Sequence, residues 1–240
     1  DSSLGYIERN DLGNNRFEIL LQQPNELATT PTWFMKFDKK VQVEDEEAEN
    51  ESQKMKSCRI ALAFGLSPVE VKADAKGKKK RDVDTAPEWE LIPMEPGRVC
   101  IYFPADKETS NLRFHLHAPF ASTVARDSVR DCAGNNDLRD HLADLLADSM
   151  HAIRDQGLLT MTALAVLPND RDNLSEFYQP LMDRLVEEFR EKNLVPMKRG
   201  GHAAASGIFR ASYAAGIGRA PTVSKTCSTP LNVVNDDDAP

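Results

Sequence analysis

The first half of the chain carries short apolar runs separated by polar ones. Trp33-Phe34-Met35-Lys36-Phe37, Arg59-Ile60-Ala61-Leu62-Ala63-Phe64, Trp89-Glu90-Leu91-Ile92 and Arg98-Val99-Cys100-Ile101-Tyr102-Phe103 each have the length and composition of a strand. Leu112 to His117 alternates apolar and polar side chains, the period of a strand with one buried face. Gly97 and Pro104 bound the fourth run as turn residues. Consecutive strands joined by loops predict a mainly antiparallel sheet.

The period then changes. Leu138, Leu142, Leu145, Leu146 and Ile153 recur at helical spacing. They predict a helix that starts near Asn136 or Asp137, with Asn135-Asn136 as its cap and Gly157 as its stop. His141 and His151 lie off that stripe and read as surface residues. Leu158 to Leu167 is a continuous apolar run bounded by Gly157 and Pro168, and it reads as a buried strand. Ser175 to Lys192 predicts a second helix on the stripe Phe177, Leu181, Leu185 and Phe189, which Pro180 either opens or kinks. Leu194-Val195-Pro196-Met197 reads as a last edge strand. The expected fold is α/β in the broad sense (α+β), a mixed or antiparallel sheet in the first half with helices packed on it. Residues 1–210 are expected to form one domain. Residues 211–240, rich in small and polar side chains, read as a disordered tail.

Composition narrows the function classes. The chain has 240 residues, 40% of them hydrophobic, enough for a real core. Its net charge of −8 argues against general binding to nucleic-acid backbones. No apolar run reaches the roughly 18 residues that a membrane span needs. The polar start, DSSLGYIERNDLG, lacks the order of a secretory signal, so a cytoplasmic location is expected. The chain opens on Asp1, which suggests a segment of a longer protein. Two charged stretches, 44–56 (acidic) and 70–86 (basic), lack apolar periodicity and read as solvated loops. No aromatic residues interleave the basic run Lys78-Lys79-Lys80-Arg81, so it reads as a loop end that balances the acidic stretch rather than as a nucleic-acid surface. Cys58, Cys100, Cys132 and Cys227 form no CxxC pair and no zinc spacing, and read as buried thiols.

Candidate chemistry concentrates in RFHLHAPFASTVARDSVR, Arg113 to Arg130. A strand leads into a loop of small polar residues that carries Arg126, Asp127 and Arg130. An Arg on a loop after a strand can grip a phosphate through its forked donors, with Asp127 to orient it. The plainer reading is a local Arg–Asp surface pair. His115 and His117, two apart on a strand, share a face, and a metal would need His202 or another ligand from elsewhere. Ser122, Ser128 and Ser206 lack a nucleophile-elbow pattern. The glycines at 200–201 and 216–218 lack the strand–turn–helix setting of a phosphate loop and read as turns.

The stretch Gly97-Arg-Val-Cys-Ile-Tyr-Phe-Pro, then Glu108-Thr-Ser-Asn-Leu-Arg-Phe-His-Leu-His-Ala-Pro-Phe-Ala, then the Arg126 loop resembles the segment that follows the nucleotide-binding domain in sacsin-like and Hsp90-like ATPases. These belong to the GHKL group (gyrase, Hsp90, histidine kinase, MutL). Ala125-Arg126-Asp127 is arranged like the Ser-Arg-Glu motif of Hsp90. The resemblance is best over residues 97–130 and looser from Trp33 to Arg210. It implies a middle, or transducer, domain of a bacterial-type ATPase. It further implies ATP and Mg held mainly by an upstream nucleotide-binding domain, and a chaperone-like role toward a client protein. Arg126 is the implied contact to the terminal phosphate, with Arg130 second, one helical turn further on. The ATP site's own signatures are an Asn-bearing helix with a Glu, an Asp-x-Gly-x-Gly loop and a glycine-rich lid. They are absent from this sequence, so the polypeptide alone is not expected to be an ATPase. The rival expectation is a non-catalytic protein-interaction module of a multidomain bacterial protein, using the charged loops at 44–51 and 72–81. A third, a metal enzyme on His115, His117 and His202, stands last.

Overall fold

The computed structural model describes residues 5–23, 30–44, 55–69, 89–169, 171–198, 200–210 and 232–234. Within them the mixed α/β expectation holds as a seven-stranded sheet with helices. The sheet contains β1 (Tyr6–Gly13), β2 (Arg16–Gln22), β3 (Thr30–Glu44), β4 (Met55–Pro68), β5 (Trp89–Ile92), β6 (Val99–Cys100) and β7 (His115–His117). The order is β1-β2-β3-β4-β7-β6, with β5 also paired to β4. Every pairing is antiparallel except β6 with β7.

β3 and β4 form the spine, in register from Trp33↔Leu66 to Glu44↔Met55. Alternation places Met35, Phe37 and Val41 with Ile60, Leu62, Phe64 and Leu66 on one face, all buried. Helix α1 (Ala133–Asp155) lies on that face and buries Leu138, Leu142, Leu146, Met150 and Ile153. Each such side chain contributes about 1.5–3 kcal/mol relative to exposure. The opposite face carries small residues at Ala61, Ala63 and Gly65. His115 and His117 pair with Ala63 and Ala61 and therefore lie on that face, away from the helix.

Three strand expectations change, and one pair of strands was not foreseen. The N-terminal hairpin β1–β2 was not predicted, because its charged residues hide the strand period. Its two-residue turn is Asn14-Asn15, both at positive φ (51° and 64°), where Asn is tolerated. Leu158–Leu167 is not a strand. Thr162–Val166 forms a short 3-10 helix that buries Ala163 and Val166 at helical spacing. One side of the segment is buried through Leu158, Leu159, Ala163, Val166 and Leu167, while Met161 and Ala165 are exposed, so the apolar run overstates how much of it meets protein. The 98–103 run shrinks to a two-residue β6, since the chain turns sharply after Cys100. Leu194–Met197 supplies β8 (Val195–Pro196), but it pairs with β9 (His202–Ala203) in a separate small sheet, not at the main edge.

Helix α1 starts earlier than expected. Cys132 is the N-cap and makes no side-chain capping bond, while Asn135 sits inside the first turn with another task. Its end matches: Gly157, at φ +73°, sends its N–H to Arg154 O, and Leu158 N–H reaches Ile153 O. α2 (Gln179–Glu191) follows a 3-10 turn at Glu176–Tyr178, and Pro180 opens it rather than kinking it. The thiols of Cys58, Cys100 and Cys132 are only half-buried, not core, and burial pushes those of Cys58 and Cys100 up. Cys227 and the cores of both charged loops lie outside the described residues. So does most of the 211–240 tail, apart from β11 (Asn232–Val234), which runs parallel to β10 (Ile208–Arg210).

Candidate functional site at two stitched loop tips

The segment from Gly97 to Phe120 is held by close backbone packing. Gly97 N–H donates to Leu112 O, and a Cβ at Gly97 would lie 2.2 Å from that oxygen, so only glycine fits. Burial alternates as expected from Leu112 to His117 and continues to Phe120, although only three residues form ladder bonds. Phe114 and Leu116 point to the core.

The chain then forms a small hairpin, not the start of a helix. Ser122 bridges Val129, Thr123 N–H donates to Ser128 O, and Arg130 N–H donates to Ala121 O. Arg126 occupies the tip at φ +60°, its N–H bonded to Thr123 O. A non-glycine residue there carries backbone strain, which the surrounding bonds must hold. Thr123 Oγ1 donates to Asp127 Oδ1 at 3.0 Å, inside the turn.

Three sets of contacts fix this hairpin. Asn135, 1% exposed, clamps its base: Nδ2 donates to Ala121 O and Arg130 O, and Oδ1 accepts from Ala121 N–H. Glu108 clamps its side, accepting Val129 N–H at 2.8 Å and the Tyr178 hydroxyl at 2.9 Å. Burial, and then the Glu108 charge, push the Tyr178 hydroxyl far above its ordinary value, so it stays a donor. Lys107 binds the turn itself, through its N–H to Asp127 O and its ammonium to Asp127 Oδ2 at 2.6 Å. The Lys107 bond, followed by that from Thr123, holds the Asp127 carboxyl below its ordinary range.

Lys107 belongs to the loop after β6, and that loop has its own tip. Cys100 bridges Pro104, and Ala105 N–H returns to Val99 O. Tyr102 and Phe103 are left at the turn, 77% and 81% exposed. The two tips are thus tied together by Lys107–Asp127 and Glu108–Val129.

Two readings of the Arg loop change. Asp127 serves Lys107 rather than orienting Arg126. Arg126 and Arg130 are not one helical turn apart on a helix: Arg126 is at the hairpin tip and Arg130 at its base. Both are exposed, and among the described residues neither side chain has an ion pair or hydrogen bond. Arg130 borders a cleft of about 390 Å³ with Asn136, Arg139, Glu176 and Phe177, while Arg126 does not reach it. A larger groove of about 630 Å³ lies between α1 and α2, and neither Arg126 nor Arg130 lines it. Its walls include Asp140, Asp144, Asp183 and Glu187, and its Arg184 is already paired with Asp144 and Glu188, so it disfavours a phosphate.

The three histidines do not meet as one ligand set. His115 Nδ1 accepts from Arg98 N–H, His117 Nδ1 bonds Cys100 O, and His202 Nε2 bonds Leu159 O. Among the described residues no group of three His, Cys, Asp or Glu side chains is placed to hold a metal ion. Sequence reasoning missed the clamps. Glu108, Asn135 and Tyr178 are far apart in the chain, and no local pattern marks their convergence. No helix of the described residues is long and apolar enough to cross a membrane.

No protein-family model, curated protein or solved structure matches this chain.

Proposed function

We propose that this chain is the coupling domain of an Hsp90-like or sacsin-like ATPase. It delivers Arg126 to the terminal phosphate of ATP held with Mg in a preceding nucleotide-binding domain, and it passes the nucleotide state on. The observation that carries this reading is the placement of Arg126: an exposed guanidinium with no ion pair among the described residues, on a strained tip whose backbone three separate clamps fix. An exposed cation on a fixed backbone, with no partner among the described residues, suits an acceptor outside them. Its five donors match phosphate oxygens, and its charge would offset the charge that builds up during phosphoryl transfer. Mg, when bound, supplies the same kind of charge compensation from the nucleotide side. Arg130, at the base of the hairpin, is the second candidate for contact.

The test joins the chain to its nucleotide-binding domain. Arg126→Ala should leave ATP affinity largely intact and lower turnover by about 100-fold or more, as for lost transition-state charge contacts. Unchanged turnover sinks the assignment. The second reading, a non-catalytic protein-interaction module, draws support from the exposed aromatic pair Tyr102 and Phe103 rather than from the charged loops first considered. Under it Arg126→Ala leaves any linked turnover untouched.

A further inference from the structure

Among the described residues, two buried side-chain polar atoms have no hydrogen-bond partner: Arg16 Nε and Gln156 Oε1. Buried polar groups are nearly always bonded, so each orphan asks for an explanation. The two residues lie far apart in the chain, yet both line one cavity of about 400 Å³. Its size is that of a small-molecule site. It shares no residue with the Arg126 hairpin.

Both side chains stem from fixed backbone. Arg16 opens β2 and pairs with Met35 of β3. Gln156 ends α1, its N–H bonded to Ala152 O. Each orphaned atom is shut off from water and has lost its hydration without gaining a bond. Both side chains are long, and rotation about their χ angles turns either polar end into the cavity. A molecule held there would supply the missing partners.

The two orphans are of opposite kinds. Arg16 Nε is a donor on a permanent cation, and Gln156 Oε1 is an acceptor on a neutral amide. The half-buried Glu90 adds a carboxylate to the same wall. The C-terminal end of α1, where Gln156 sits, is the negative end of the helix dipole and favours a cation. Trp89, Leu158 and Val69 supply apolar lining, and the Trp89 ring is braced edge-on against Trp33 at 5.8 Å. A matching ligand carries an anionic acceptor, a cationic donor and an apolar substituent, all within a few bonds of one another.

We propose that this cavity binds a free α-amino acid with an apolar side chain. Its carboxylate accepts from Arg16, its ammonium donates to Gln156 Oε1 and faces Glu90, and its side chain packs on Trp89, Leu158 and Val69. Charge-assisted bonds at both ends fix the orientation, and the apolar wall selects the side chain. The occupied site joins the β1–β2 hairpin, β5 and the end of α1 through one ligand, so binding stabilises the folded chain.

The test titrates the full chain with L-leucine and with L-phenylalanine in a calorimeter. At least one of them should bind saturably, at one site per chain. For the better binder, the amide, which lacks the carboxylate, and the N-acetyl derivative, which lacks the ammonium, should each bind about 10-fold or more weakly. Arg16→Met and Gln156→Met keep an unbranched side chain and remove its polar atoms. Each should weaken binding of the free amino acid by about 10-fold or more. Each should also leave the urea midpoint of the ligand-free chain level or raise it, because a buried orphan is gone. That second readout separates a ligand site from a structural role and shows that the variants fold. Absence of saturable binding by either amino acid overturns the site and leaves the cavity to water. Equal binding of the amide or the N-acetyl derivative overturns the zwitterion as the ligand class. A clear fall in the ligand-free midpoint of both variants shows that the two polar groups hold the fold, and overturns their assignment to a ligand.

Discussion

Arg113 and Arg126 come from one short stretch of chain and have opposite fates. Arg113 lies at the start of the alternating strand, and its guanidinium is fully occupied. It donates to the carbonyls of Ala165 and Leu167 and to the Asp172 carboxylate, with Glu95 alongside. These bonds tie the 3-10 segment after α1 to the sheet. Arg126 stands on a tip well fixed by its backbone, yet its side chain makes no hydrogen bond or ion pair among the described residues. The same side-chain type is structural where carbonyls and a carboxylate converge on it, and available where the fold fixes only its backbone. A free guanidinium on a floppy loop would mean little. One on a clamped loop is anchored at its Cα and keeps its donors open among the described residues.

The largest expected effect breaks the Arg113 side of this contrast. Arg113→Ala strands two carbonyls and the Asp172 carboxylate, whose side chain is only 9% exposed. Losing one partner of such a pair should cost about 3 kcal/mol or more. Arg126→Ala should change stability by less than about 0.5 kcal/mol, the usual range for an exposed side chain without partners. Urea unfolding of both variants reads the difference directly. Equal destabilisation would mean that Arg126 is a structural residue after all.

An intermediate effect is expected at the clamp. Asn135→Ala removes three hydrogen bonds that hold the two ends of the hairpin together at a buried site. A loss of about 2 kcal/mol is expected, since the Ala121 N–H and the Arg130 carbonyl lose their partner while the Ala121 carbonyl keeps only the Arg130 N–H. Amide exchange at Ala121 and Arg130 should speed up more than exchange in the β3–β4 spine. Uniform acceleration across the sheet would show instead that Asn135 supports the whole fold and not the tip in particular.

Much of the fold was legible because its main elements rest on local periodicity. The β3–β4 spine, the Leu stripe of α1 and the Gly157 stop all follow from residues a few positions apart. What escaped was set by tertiary contact. Leu158–Leu167 looks like a strand because it is mostly apolar, but only one side of its tight helical turn is buried, through Ala163 and Val166. β1 and β2 escaped because strands with exposed faces need no apolar alternation, and only the Asn14-Asn15 turn marks them. The Arg loop was found by residue type. Its geometry was not, because the hairpin depends on Glu108, Asn135 and Tyr178, and nothing in the chain announces their convergence. Even the Arg126–Asp127 pair misled, since adjacency in sequence gave the carboxylate a partner that Lys107 takes in space.

The smallest expected effect concerns the sheet face that carries His115 and His117. Burial, followed by the nearby charge of Arg98, holds the His115 imidazole below its ordinary value of 6.5. Burial likewise lowers His117, with its bond to Cys100 O acting in the opposite sense and Lys36 adding to the lowering. His115 Nδ1 accepts the Arg98 N–H, so a proton on that nitrogen would break the bond. The unfolded chain therefore binds protons more readily than the folded one as pH falls through 6.5. Stability is fully present above that value and declines below it, toward the lower folded-state values. Glu188 works in the same direction but in a separate window. Its carboxyl is held down by His151 and then Arg184, so its contribution fades only below the ordinary carboxylate value of 4.5. Urea midpoints between pH 7.5 and 5.5 should therefore drop modestly for the wild-type chain and less for His115→Leu. A wild-type midpoint that stays level across this range would mean that the imidazoles take up protons without disturbing the strand that leads to the Arg loop.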